Sequence, residues 1–169
     1  MRLLPIFLLL ISSLGAKSGL LDIEWSKIEQ TQQKPSTPYP HQLTDGIKDT
    51  HLPVYLPSNY AYDTKMAVVA DKDFYTISFF IDNATVMMAG DRTFQESISP
   101  SDSKFEKIIE SPPLDFIEDS GIMSVDFNRN GANYTLSVEC ENYQKDSRCQ
   151  EEDFLRGLYN RLIFIGGKK

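Results

Sequence analysis

Carboxylates are the chemically reactive side chains that this sequence offers most freely. The chain has 24 acidic and 17 basic residues, and its formal net charge is -7 at pH 7. Two carboxylates at a suitable separation can hydrolyse a glycosidic bond. No spacing in the sequence selects such a pair, so a small envelope hydrolase with paired carboxylates is kept as the alternative interpretation. Its surface candidates are Glu96, Glu106, Glu110, Glu118 and Glu139.

The two histidines and two neighbouring aspartates offer weaker chemistry. His41 and His51 flank a segment rich in Gln, Pro, Thr and Lys, which is a poor support for a zinc site or a nucleophile and its base. Asp71 and Asp73 lack the central Gly and distal Glu of an EF-hand loop. The sequence contains no motif of serine hydrolases, zinc proteases, phosphate loops or dinucleotide-binding folds. We therefore predict no catalytic residue, no metal and no cofactor.

The two cysteines have the spacing of a structural disulfide. Cys140 and Cys149 are the two cysteines of the chain, and their separation does not match the C-x-x-C motif of thiol oxidoreductases. A bridge that closes about ten residues restricts the unfolded chain and stabilises the fold by about 2.7 kcal/mol. We predict that the two cysteines form a disulfide in an oxidising compartment.

An antiparallel hairpin must position the first cysteine. Asn130-Gly131 has the residue types that a type I′ turn requires, because both tolerate positive φ. The flanking segments alternate between apolar and polar residues, which is typical of a hairpin with one buried face. The predicted apolar pairs are Phe127 with Tyr134, Val125 with Leu136, and Met123 with Val138.

A C-terminal helix should begin at the second cysteine. Ser147 and Gln150 have the spacing of a capping box, and the acidic residues 151–153 suit the first turn of a helix. Gly166-Gly167 is a suitable stop signal. The predicted helix therefore runs from Cys149 to Ile165. Its apolar stripe consists of Phe154, Leu155, Leu158, Leu162 and Ile165.

Residues 1–16 have the composition of a secretory signal peptide. Arg2 is their only charged residue, positions 3–11 are apolar apart from Pro5, and small residues precede position 17. The apolar run is too short to span a bilayer permanently. We expect a periplasmic or secreted protein with no stable membrane insertion after signal cleavage. The acidic balance argues against nucleic acid as a partner, because binding to it requires a basic surface.

Residues 17–50 precede the predicted domain. Leu21, Trp25 and Ile28 form one stripe of a short amphipathic helix, which docks either on its own domain or on a partner. A flexible linker rich in Pro and Gln follows, from residue 31 to residue 49. Residues 51–169 form a single α+β domain in this interpretation.

A second hairpin and one short helix complete the domain. Asp82-Asn83 is the predicted turn, which places Ile77 opposite Met88. The second face of this hairpin includes Phe80 and is either covered by the Tyr-rich segment before it or exposed to a partner. A short middle helix is predicted from residue 101 to residue 111.

Together these elements predict an α+β fold. It has an antiparallel sheet of about five to six strands built from two hairpins, and a C-terminal helix and one short middle helix pack on it. An edge strand from Leu52 to Pro57 leads into the sheet. The candidate partner-binding residues are Tyr55, Tyr60, Tyr62, Phe80 and Trp25.

The missing catalytic set favours a non-catalytic exported domain that binds a ligand or takes part in envelope assembly. Its partner would be an envelope or extracellular protein. Small, acidic, disulfide-bonded exported proteins include inhibitors of enzymes that degrade cell walls, so an inhibitor or immunity role belongs to the same hypothesis. The sequence leaves the ligand and the oligomeric state open.

Overall fold

The computed structural model describes residues 17–31, 35–96 and 114–169. The predicted signal peptide and the predicted middle helix lie outside these residues. The helices are α1 (Trp25–Thr31), α2 (His41–Gly46) and α3 (Glu152–Tyr159). The strands are β1 (Lys17–Leu20), β2 (Val54–Pro57), β3 (Met66–Ala70), β4 (Phe74–Ile81), β5 (Ala84–Asp91), β6 (Thr93–Glu96), β7 (Phe116–Asp119), β8 (Ile122–Arg129), β9 (Ala132–Cys140) and β10 (Leu162–Gly166).

Six strands form an antiparallel sheet in the order β3-β4-β5-β9-β8-β7. The two predicted hairpins form its centre, and their registers are confirmed: Ile77 faces Met88, and Val125 faces Leu136. The turn residue Asn130 has a φ of 52°, a positive value that a type I′ turn requires. The α+β class, the antiparallel sheet and the C-terminal helix are therefore confirmed.

A second layer covers one face of this sheet. It consists of α2, α3 and an antiparallel ribbon of β2 with β10. All four residues of β2 are buried, and Leu43 of α2 and Leu155 of α3 are fully buried in the same core. A separate ribbon pairs β1 with β6.

The C-terminal helix is shorter than the sequence predicts. Helix α3 ends at Tyr159, and the predicted continuation to Ile165 is wrong, because Leu162–Gly166 is strand β10 and pairs with β2. Ser147 lies in a 3₁₀ turn, and Glu151 precedes α3 without a side-chain capping bond, so the predicted capping box is also wrong. Pairing with β2 satisfies backbone groups of a buried strand. The free energy gained by this pairing exceeds the local preference for a helix that the apolar spacing indicates.

Helix α2 lies within the predicted linker. Leu43 and Ile47 are 0% and 4% exposed and belong to the core, so the flexible-linker interpretation is wrong for this part of the segment. The Gln42 side-chain amide also donates a hydrogen bond of 2.8 Å to the Met66 carbonyl. Two apolar residues one helical turn apart are enough to anchor this segment to the sheet.

Helix α1 packs on its own domain, which is one of the two placements that the sequence left open. Ile28 is 2% exposed. The Trp25 ring lies against Gly167, since a Cβ at that glycine would be 3.3 Å from it. The Lys169 ammonium lies 3.5 Å from the Glu29 carboxylate. The helix thus contacts the C-terminal end of the chain.

Cys140 and Cys149 form the predicted disulfide. It joins the end of β9 to the 3₁₀ turn Ser147–Cys149, which leads into α3. Arg148 extends this connection, because its guanidinium pairs with Asp146 and donates to the Asp82 carbonyl at 2.8 Å. Within the described residues, no helix combines the length and hydrophobicity that crossing a membrane requires.

Reduction of the disulfide should lower the free energy of unfolding by about 2.7 kcal/mol, because the unfolded chain regains loop entropy. Urea unfolding with and without reductant measures this difference. The double variant Cys140→Ala, Cys149→Ala is the control and should unfold identically in both conditions. Equal urea midpoints for oxidised and reduced wild-type protein would contradict the prediction.

Gly131 and Gly157 should respond oppositely to replacement by Ala. A Cβ at Gly131, whose φ is +82°, would lie 2.0 Å from the Asp22 carbonyl oxygen, so Gly131→Ala should cost about 1–3 kcal/mol. A Cβ at Gly157 meets nothing within 4 Å, so Gly157→Ala should stabilise α3 by about 0.5–1 kcal/mol. Thermal unfolding of the two variants checks this, and shifts of the same sign would refute it.

Candidate functional site

The face of the six-stranded sheet opposite the core is open to solvent within the described part of the chain. Side chains alternate between the two faces of a strand. The register therefore assigns to this open face the odd-numbered residues of β3, β5, β7 and β9 and the even-numbered residues of β4 and β8. Five large apolar side chains on it are 39–61% exposed: Val69, Phe74, Phe80, Ile117 and Ile122. Several exposed apolar side chains on one face of a sheet make that face a candidate binding surface.

A groove of about 550 Å³ lies at one end of the open face. The exposed ring of Phe74 lines it beside rows of small and polar side chains. The Thr135 hydroxyl donates to the Asp126 carboxylate at 2.5 Å, and the Asn128 amide donates to the Asn133 amide oxygen at 3.2 Å. These pairs come from β8 and β9. The groove therefore combines an apolar ring with preformed polar contacts, as ligand sites commonly do.

The charge of the open face is acidic. Its charged residues are Asp91, Asp119, Asp126 and Glu139, all exposed, and the face as defined above contains no Lys or Arg. Four carboxylates without a cation among them create a negative potential over this surface. The potential over the open face is therefore favourable for cations and unfavourable for anions.

Asp91 and Asp126 are the two carboxylates that line the groove. Strand β9 separates their strands, and they are offset by two residues along the sheet, so strand geometry places their Cα atoms about 12 Å apart. The Asp91 carboxylate accepts a bond from the Thr93 amide at 2.6 Å, and the Asp126 carboxylate accepts the Thr135 bond described above. Both carboxylates are therefore engaged within the chain, and the hydrolase alternative stays a prediction.

The other predicted sites for carboxylate or metal chemistry are scattered. Glu118 lies on the edge strand β7 and Glu139 on the open face, whereas Glu106 and Glu110 fall outside the described residues. In the described ranges no three His, Cys, Asp or Glu side chains come close enough to hold a metal ion.

The structure does not bring the five predicted partner-binding residues together. Tyr55 is 6% exposed and is a core residue, which corrects its assignment to a binding surface. Tyr60 is half-buried and stacks on the core residue Phe79, with ring centroids 5.2 Å apart. Trp25 is half-buried in helix α1. Phe80 itself is exposed, so the Tyr-rich segment does not cover it.

Phe80 and Tyr62 are the exposed members of that predicted set. Phe80 is 53% exposed on the open face, and Tyr62 is 46% exposed outside it, with its ring 5.2 Å from that of Tyr39. Sequence reasoning missed Ile117 and Ile122 as surface residues. Their apolar character at outward positions of β7 and β8 was the signal that could have identified them.

Buried tyrosines hold β2 over the core. The Tyr75 hydroxyl accepts a bond from the Tyr55 amide at 3.0 Å and donates to the Tyr55 carbonyl at 3.2 Å. The Tyr134 hydroxyl donates to the Pro53 carbonyl at 2.9 Å. Burial raises the pKa of both Tyr75 and Tyr134, because a phenolate in the core would lose its hydration. These hydroxyls have a structural role.

Stability should fall as the pH rises above about 10. The unfolded chain then loses the protons of Tyr75 and Tyr134, whereas the folded chain keeps them because their pKa values are raised. Each such tyrosine lowers the free energy of unfolding by about 1.4 kcal/mol for every pH unit in this range. Tyr134→Phe should reduce the slope by that amount, as measured by urea unfolding between pH 9 and pH 12. If Tyr134→Phe left the pH dependence of the free energy of unfolding unchanged, the burial of the Tyr134 hydroxyl would be contradicted.

Comparison of the chain with protein-family models, curated proteins and solved structures finds no match. Its function therefore has to be inferred from its own residues and from their placement. The open face, with its exposed apolar side chains, acidic charge and groove, is the candidate functional site.

Proposed function

We propose that this chain is a non-catalytic binding domain that acts outside the cytoplasm, in the cell envelope or after secretion. Its open face binds a protein partner. One observation carries this proposal: a single sheet packs a complete core on one face and leaves five large apolar side chains exposed on the other. Leaving so much apolar surface in water is unfavourable, and a partner that covers it removes that cost.

The chemistry of the open face defines the kind of partner. Phe80 and Val69 lie on the β3–β4 side, whereas Ile117 and Ile122 lie on the β7–β8 side, so apolar contacts are available at both flanks. The carboxylates of the face favour Lys and Arg on the opposing surface and disfavour acidic ones. The partner is therefore an exported protein that presents apolar residues together with basic ones.

The disulfide supports the proposed location. Disulfides persist in oxidising compartments and are rare in the cytosol, where thiols are kept reduced. Two observations support export. One is the disulfide between Cys140 and Cys149, and the other is the signal-like composition of residues 1–16.

Photo-crosslinking in cells of the source organism tests the proposal. A benzophenone amino acid at Phe80 or Ile122 should give the same single covalent adduct, because both positions lie on the open face. The matched control is Tyr62, which is exposed to a similar degree outside this face. An adduct at Tyr62 without one at Phe80 or Ile122 would overturn the assignment of the surface.

Phe80→Ala should weaken binding of the identified partner at least tenfold, because truncation of a large aromatic contact that a partner buries costs more than about 1 kcal/mol. Tyr62→Ala should change the dissociation constant less than twofold. Asp126→Asn combined with Glu139→Gln should lower the association rate and weaken its dependence on salt. Calorimetry and stopped-flow measurements provide these values. Equal affinities of Phe80→Ala and wild type would contradict the proposal.

A further inference from the structure

The two edges of the six-stranded sheet differ in how they are protected. At the β3 edge, the Gln42 amide bonds to the Met66 carbonyl at 2.8 Å. Gly46 of α2 also lies against Val68, since a Cβ at this glycine would be 2.6 Å from the valine side chain. Helix α2 thus covers this edge, which is one way in which proteins prevent unwanted strand pairing.

The β7 edge has no such cover in the described part of the chain. A two-residue turn joins β7 to β8, and Asp119 faces Ile122 beside it. The pair next to such a turn is hydrogen-bonded, and bonded pairs alternate along an antiparallel ladder. Ile117 and Asp119 therefore direct their backbone groups toward β8, whereas Phe116 and Glu118 direct theirs outward.

The outward N–H and C=O groups of Phe116 and Glu118 have no hydrogen-bond partner within the described ranges. Ile117 is 52% exposed, and Glu118 and Asp119 are exposed as well. The edge therefore presents two donors and two acceptors at strand spacing, next to an apolar side chain of the open face. This is the arrangement that an added strand requires.

Charge determines which strand fits the β7 edge. Asp115, Glu118 and Asp119 are acidic, and residues 114–124 contain no Lys or Arg. The guanidinium of Arg156 lies over the Phe116 ring at 4.3 Å and pairs with Glu152, so it is already engaged. Antiparallel pairing of two copies through β7 would bring like charges together, which is destabilising. A strand with basic side chains would instead pair with these carboxylates.

We propose that the partner adds an extended segment to β7 as a seventh strand of the sheet. Its backbone would bond to Phe116 and Glu118, an apolar side chain would lie beside Ile117 on the open face, and a Lys or Arg side chain would lie beside Glu118 on the opposite face of the strand. This inference rests on the proposed function, since it specifies how the partner of the open face is held.

Glu118→Pro and Glu118→Ala form a matched pair that tests strand addition. Both remove the carboxylate and its bond to the Gly121 amide. Proline alone also removes the outward N–H, and it leaves the β7–β8 bonds intact because Glu118 does not contribute to them. The crosslinked partner should bind Glu118→Pro at least tenfold more weakly than Glu118→Ala, as measured by calorimetry on variants whose folding circular dichroism confirms.

A synthetic probe tests the same edge of the wild-type protein. An acetylated decapeptide of alternating Lys and Val should slow amide hydrogen exchange at Phe116 and Glu118 at least tenfold at saturation. The same peptide with backbone-N-methylated lysines lacks the N–H groups that would bond to Phe116 and Glu118, and it should have no effect. A Glu-Val peptide should bind at least tenfold more weakly than the Lys-Val peptide.

The outcomes separate the two proposals. Strand addition is wrong, while the proposed function stands, if the partner crosslinked at Phe80 binds Glu118→Pro and Glu118→Ala equally. It is also wrong if Phe116 and Glu118 are already protected in the free protein, or if the N-methylated peptide acts like its parent. If Phe80 and Ile122 give no adduct, the proposed function fails, whatever happens at β7.

Discussion

The buried hydroxyl of Tyr75 determines how the two layers of this protein meet. It bonds to both the amide and the carbonyl of Tyr55, and the Tyr134 hydroxyl bonds to the Pro53 carbonyl. Buried backbone groups left without partners would each cost about 1–3 kcal/mol. These bonds keep β2 on the core face of the sheet, and β10 must follow it there to complete the ribbon. The opposite face of the sheet is therefore left open to solvent in the described part of the chain.

The two faces of the sheet differ in what they contribute to the stability of the fold. The core residues and the disulfide hold the ribbon, α2 and α3 on one side of the sheet. The open face contributes little to that core, so its side chains can change without loss of core packing, and under the proposed function they would determine what the protein binds. Its acidic residues have a second effect, because like charges on the open face and at the β7 edge oppose association between copies of the chain. The charge therefore opposes self-association of a surface on which Phe80 and Ile117 are exposed.

Much of the sheet is predictable from the sequence because its signals are local. Asn130-Gly131 and Asp82-Asn83 specify two turns, and counting outward from each turn assigns every residue of the hairpin to a face. The candidate site was predictable only in part. Phe80 is on the open face as an outward residue of its hairpin, but Tyr55 has the same aromatic character and is buried. Residue type alone does not distinguish a surface aromatic from one whose neighbours come from distant segments.

What the sequence determined by itself was the pair of hairpin registers, the disulfide between Cys140 and Cys149 and the α+β class, since each depends on residues close together in the chain. The tertiary structure decided that residues 162–166 form a strand, that α2 belongs to the core and that one face of the sheet stays open. Each of these depends on a partner segment far away in the chain. The free energy gained by satisfying buried backbone groups there exceeds the small preferences that short segments express alone.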